Sequence, residues 1–172
     1  MIRGGKGGGR TKTGLKFERR TNLRSVILSV DEYRIRDRQV YFGERNVAEL
    51  FKKRQLYSEL LEKRGLDWKR YISKRLEPDG AILVLRTKIL FIIEQKYQQV
   101  SGSVDEKLQT CDFKNKQYQK LLAPLGIQVR YVYVLNDWFK KPEYRDVLDY
   151  ISAVGCHYFF GEIPISFLDL PL

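Results

Sequence analysis

One histidine, two cysteines and one methionine are scattered through 172 residues, and each scarcity closes off a class of chemistry. A lone histidine, His157, excludes every metal motif built on two imidazoles. It stands beside Tyr158, Phe159 and Phe160 in a strand-like run, so packing is expected of it rather than general-base catalysis. No nucleophile elbow supports a Ser/His/Asp triad. Cys111 and Cys156 lack the close Cys or His neighbours of a zinc site and read as reduced core residues. No apolar run is long enough to span a bilayer, and the start Met-Ile-Arg-Gly-Gly-Lys lacks the apolar stretch of a secretory leader. A cytoplasmic protein with no membrane partner is the expectation.

What the chain does contain is apolar residues and positive charge. With 43% hydrophobic and 13% aromatic residues it can build a core, and its length fits one domain. The formal charge is +11, unevenly placed: residues 1–24 hold eight Lys/Arg against one Glu, and residues 143–172 hold one Arg against five Asp/Glu. A basic chain suits a polyanion, because each phosphate neutralised by Lys or Arg releases counterions.

Residues 1–13 are read as a flexible, Gly-rich basic arm and 14–172 as the folded domain. The arm is not a phosphate-binding P-loop, since Thr11 rather than Gly precedes Lys12-Thr13 and no strand fits before it. It is either a solvated tail or an arm whose Lys6, Arg10 and Lys12 lie along DNA phosphates. A short helix is expected over Leu15–Leu23, then strands at Val26–Val30 and Gln39–Phe42 with a turn at Gly43. Asn46 and Glu49 resemble a capping box, and Val47, Leu50, Phe51, Tyr57 and Leu61 recur at helical spacing, predicting a helix that Gly65 stops. Another short helix is expected over Leu66–Lys74.

Ala81–Leu85 and Ile89–Ile93 are nearly continuous apolar runs, as in strands buried on both faces, and Arg86-Thr87-Lys88 would turn one into the other. Ser103 and Glu106 begin a helix that Pro124 and Gly126 end; Ile127–Leu135 alternates as a strand, and helix and strand together predict a crossover placing it parallel to 88–96. A last helix from Pro142 to Gly155 and a strand near Tyr158–Phe160 complete an α/β domain with a mixed central sheet.

The hairpin carries the chemistry. Glu94 and Lys96, two apart on a strand, share a face, while Gln95 points away. Asp79 would begin one strand opposite Glu94 near the end of the other, so two carboxylates converge as a hard divalent cation requires. Three other acid-x-Lys tripeptides occur, at Asp67-Trp68-Lys69, Asp105-Glu106-Lys107 and Asp112-Phe113-Lys114, but all fall in predicted helices, where positions i and i+2 do not share a face. Only Glu94-Gln95-Lys96 terminates an apolar strand, where charges are costly unless paired or bound to metal.

Pro78-Asp79 with Glu94-Gln95-Lys96, set in the order helix, strands, hairpin, helix, strand over about residues 14–135, resembles the PD-(D/E)XK nuclease superfamily. Size and basicity resemble its type II restriction endonucleases. The resemblance implies a restriction-endonuclease-like core in which Asp79, Glu94 and the Gln95 carbonyl ligate Mg²⁺ and Lys96 positions or activates water. It further implies duplex DNA as substrate, 5′-phosphate products and a homodimer. Glu18 stands where many relatives carry a helical Glu near the metal, or is a surface charge offsetting Arg19 and Arg20. Gln98, Asn136, Lys140 and Lys141 are candidate DNA contacts, with ordinary loop roles as the alternative. Two other functions remain open: a structure-selective nuclease of the junction-resolvase kind, and a non-catalytic nucleic-acid-binding protein in which Glu94 and Lys96 form a structural pair.

Overall fold

The computed structural model describes residues 16–17, 21–100 and 104–171. Lys6, Arg10, Lys12 and Glu18, together with Leu15, Arg19 and Arg20 of the expected first helix, lie outside the described residues. The rest is a seven-stranded mixed sheet whose spatial order is the order of the chain. Strands β1 (Tyr33–Arg36), β2 (Gln39–Phe42), β3 (Arg45–Phe51), β4 (Gly80–Val84) and β5 (Ile89–Lys96) form an antiparallel meander, to which β6 (Gln128–Leu135) and β7 (His157–Phe160) add in parallel with β5. The expected α/β architecture with a mixed sheet is therefore present, as are the β4–β5 hairpin and the parallel β5–β6 pair.

Two expectations fail on the N-terminal side. Val26–Val30 is no strand: α1 spans Leu23–Ile27, its first turn capped by the Asn22 side chain, which accepts from Arg24 N. Leu23, Val26 and Ile27 sit at i, i+3 and i+4 and are buried, the signature of a one-sided helix rather than a strand. The helix expected from Asn46 begins ten residues late. Residues 45–51 instead form β3, hydrogen-bonded on one side to β2 and on the other to β4. A capping box offers the backbone two bonds, whereas a strand between two partners satisfies every N–H and C=O along its length, so tertiary pairing overrides the local signal. The helical part of that prediction survives only as α2 (Leu56–Leu61), a wide turn burying Leu56, Tyr57, Leu60 and Leu61. The short helix expected over Leu66–Lys74 shrinks to a single tight turn, Trp68–Arg70, capped by Asp67.

Both faces of the sheet are covered. On one, Leu90 and Ile92 of β5 and Tyr131, Tyr133 and Leu135 of β6 pack under α2, α4 (Cys111–Leu122) and α5 (Arg145–Ala153). On the other, Ile89, Phe91, Ile93, Val132 and Val134 meet α1 and the C-terminal Ile163, Leu168 and Leu170. The long helix expected after the hairpin is broken into α3 (Val104–Leu108) and α4. Cys111 and Cys156 are free, buried thiols. Half-buried His157 packs edge-on against Phe167, 5.0 Å between centroids, and burial lowers its pKa, with Arg130 adding to the shift. No helix among the described residues is long and apolar enough to cross a membrane.

The ends of β5 and β6 are tied by one side chain. Asn136 Oδ1 accepts from Gln98 N at 3.0 Å, and its Nδ2 donates to Gln98 O at 2.8 Å, so the amide replaces a missing pair of ladder bonds. Asn136→Ala leaves both Gln98 backbone groups without these partners and is expected to lower unfolding free energy by about 2 kcal/mol. Lys140→Ala, which removes an exposed pair with Asp137, should change it by less than about 0.5 kcal/mol. Urea denaturation of the two variants checks the contrast.

Candidate metal centre

The last β4–β5 pair is Gly80 opposite Ile93, yet β5 continues to Lys96 alongside β6. Residues 94–96 thus have a strand on one side only, and Asp79, immediately before β4, enters the notch on the other. Its Oδ2 accepts a hydrogen bond from Gln95 N at 3.0 Å. The N–H and C=O of a strand residue point the same way, alternating along the chain. Asn136 N donates to Lys96 O, so the Lys96 backbone faces β6 and the Gln95 carbonyl faces the notch with Asp79. The structure accordingly seats Asp79 against the Gln95 backbone and pairs Glu94 with Lys96 at the end of the same strand.

The preceding turn is held from behind. Lys53 adopts a left-handed backbone at φ 47°, uncommon for a residue with a side chain, and its N–H donates to Pro78 O at 3.0 Å. Arg54 pairs with Glu77 at 3.2 Å. From the opposite face of β5, Gln95 Nε2 donates to Thr21 Oγ1, which itself donates to Phe17 O at 2.8 Å. Thr21 is a residue that sequence reasoning missed, because nothing local connects it to a strand 74 positions away.

Glu94 is the electrostatic centre. It is 7% exposed, lies on the α4 side of the sheet, and faces an ammonium at each oxygen: Lys96 Nζ at 2.7 Å from Oε2 and Lys114 Nζ at 3.6 Å from Oε1. Lys114 has no mark in the sequence either. It belongs to one of the three tripeptides that helical spacing disqualifies, and it is indeed on a helix, α4, but one that delivers it to the motif. Its neighbour Asp112 pairs with Lys116 at 2.7 Å.

Aromatic hydroxyls complete this wall. Tyr118 of α4 and Tyr131 of β6 are buried, and desolvation drives both pKa values far up, the Glu94 charge adding to the shift. Both stay protonated at any working pH. Tyr118 Oη and Asn115 Oδ1, on the buried face of α4, have no hydrogen-bond partner among the described residues. Buried polar atoms left this way are uncommon and mark places where water, an ion or a ligand supplies the missing bond. Beside Asp79 and Gln95 opens a cavity of about 200 Å³ lined also by Arg24, Arg38, Lys52 and Leu50.

These donors fit a hard cation. Two carboxylates and a backbone carbonyl are oxygen donors of the kind Mg²⁺ takes. Among the described residues no group of three His, Cys, Asp or Glu is clustered, so two carboxylates and main-chain oxygen are what the notch offers. The remaining candidates serve the fold as well. Gln98 is buried and Asn136 is bonded to its backbone; Lys140 pairs with Asp137 at 2.7 Å, and Lys141 lies 3.1 Å from the centre of the Trp138 ring.

No family model matches this chain, and no curated protein matches it. Among solved structures it is similar to one described as the crystal structure of MunI restriction endonuclease in complex with cognate DNA. The TM-score is 0.42 and the identity 15%, covering 74% of this chain and 79% of that one. A likeness so distant carries no weight beside the residues of the notch, on which the function rests.

Proposed function

We propose that this chain is a Mg²⁺-dependent endonuclease of the restriction type, hydrolysing phosphodiester bonds of duplex DNA at a specific sequence to leave 5′-phosphates. The observation that carries the reading is Asp79 meeting the end of β5 at Gln95 N–H, beside a buried Glu94 bonded to Lys96. Asp79, Glu94 and the Gln95 carbonyl would hold the ion. When bound, Mg²⁺ supplies a Lewis acid that polarises the phosphoryl oxygen and lowers the pKa of attached water. Lys96 contributes a positive charge on the face where water and phosphate meet, and its hydrogen bond to Glu94 Oε2 at 2.7 Å keeps that charge in place. Arg24, Arg38 and Lys52 around the neighbouring cavity offer the strand a cationic approach, in keeping with a net charge of +11. Cutting both strands of a symmetric site calls for two such notches related by a two-fold axis, hence a homodimer.

Long duplex DNA incubated with the protein and Mg²⁺ should yield discrete fragments on a gel, and chelation of the metal should abolish them. Cutting confined to branched DNA would assign a junction-resolving nuclease instead, and retardation without cleavage under any divalent metal would leave a non-catalytic DNA-binding protein. Asp79→Ala and Glu94→Ala should each slow cleavage by about 10²-fold or more, the scale of losing one preorganised electrostatic contributor. Single-turnover rates measured at saturating Mg²⁺ check this, and near-normal cutting by either variant rejects the site.

A further inference from the structure

Glu94 has two oxygens and two ammonium neighbours, and the neighbours are not equivalent. Lys96 sits at 2.7 Å, within hydrogen-bond distance, on the same strand two residues away, and its ammonium also lies 5.9 Å from the centre of the Tyr133 ring. Lys114 arrives from a separate element, stands off at 3.6 Å and keeps a more exposed side chain, 27% against 16%. Among the described residues Glu94 is its one ion-pair partner. Its chain is long and rotatable, so one oxygen of Glu94 is gripped and the other loosely guarded.

The charge balance separates the two lysines further. As folded, the carboxylates of Asp79 and Glu94 offset the ammonium groups of Lys96 and Lys114. A divalent cation on Glu94 Oε1 would stand against Lys114 and repel it, whereas a phosphodiester carried in with that cation would attract it. Of the two lysines, Lys114 is the more exposed and the more loosely held, and so the one freer to leave Glu94.

Resting on the metal-site reading above, we propose that Lys114 is an exchangeable counter-ion: its ammonium guards Glu94 Oε1 until a divalent cation takes that oxygen, and it then turns to the phosphodiester of the substrate. Lys114 is a positioning residue in this account until DNA is present. The guarded state keeps a buried carboxylate compensated when no metal is bound, and the exchange makes metal affinity weaker in the free protein than beside DNA.

The test is calorimetric titration of the full chain with Mg²⁺, and separately with Ca²⁺, in the absence of DNA. Lys114→Gln should bind Mg²⁺ about ten-fold more tightly, since it removes a unit charge a few ångströms from the ligand oxygen. Lys114→Arg should restore wild-type affinity. Lys116→Gln, an equal charge change on the same helix, should stay within about two-fold, its partner Asp112 being elsewhere. In cleavage assays Lys114→Gln should need less Mg²⁺ yet show a raised KM for DNA. Unchanged or weaker Mg²⁺ binding by Lys114→Gln, or an equal gain from Lys116→Gln, overturns the exchange. If neither the wild type nor Lys114→Gln binds a divalent cation, the metal site falls and the exchange with it; binding without a gain removes the exchange alone.

Discussion

A carboxylate withdrawn from water must be compensated, and the surroundings of Glu94 are arranged around that requirement. Burying a lone ionised carboxylate costs several kcal/mol even after relaxation. Here the offset comes from Lys96 on the same strand and Lys114 from the helix above. β6 and α4 are needed for this as much as β5 is, because they wall off solvent with Tyr131 and Tyr118 and carry the second cation. The notch at the start of β4 depends on the same arrangement: had β4 begun two residues earlier, ladder bonds would take up the Gln95 backbone that Asp79 now meets.

The hairpin, the crossover and the alternating strand 128–135 were legible because burial on both faces writes long apolar runs, and because Pro124 and Gly126 punctuate them. Asp79, Glu94 and Lys96 were legible for a related reason, since a charge at the end of an apolar strand is conspicuous. The N-terminal third was harder. Val47, Leu50 and Phe51 fit helical spacing and strand pairing alike, and only β2 and β4, far along the chain or weakly patterned, decide between them.

Thr21 and Lys114 were illegible in a different sense. Each acts through a contact with β5 made by another element, and neither carries a local mark of it. Lys114 shows the point most clearly. Helical geometry separates an acid from a lysine two positions on, which disqualifies its tripeptide as a motif, and Asp112 does turn away, to Lys116. The same geometry that disqualifies the pair frees the lysine for a partner on the sheet.

The sheet keeps its strands in chain order, and the notch lies at the strand where antiparallel pairing gives way to parallel. All four residues of the motif are therefore in place once Lys96 has been synthesised, but the wall over Glu94 comes from α4 and β6, which are made later. An N-terminal fragment could form the meander and still hold Glu94 open to solvent, with one lysine instead of two. The setting of Glu94 is thus completed only when the second half of the chain docks, so that a half-made polypeptide carries Asp79, Glu94, Gln95 and Lys96 without the enclosed, charge-balanced surroundings of the finished fold.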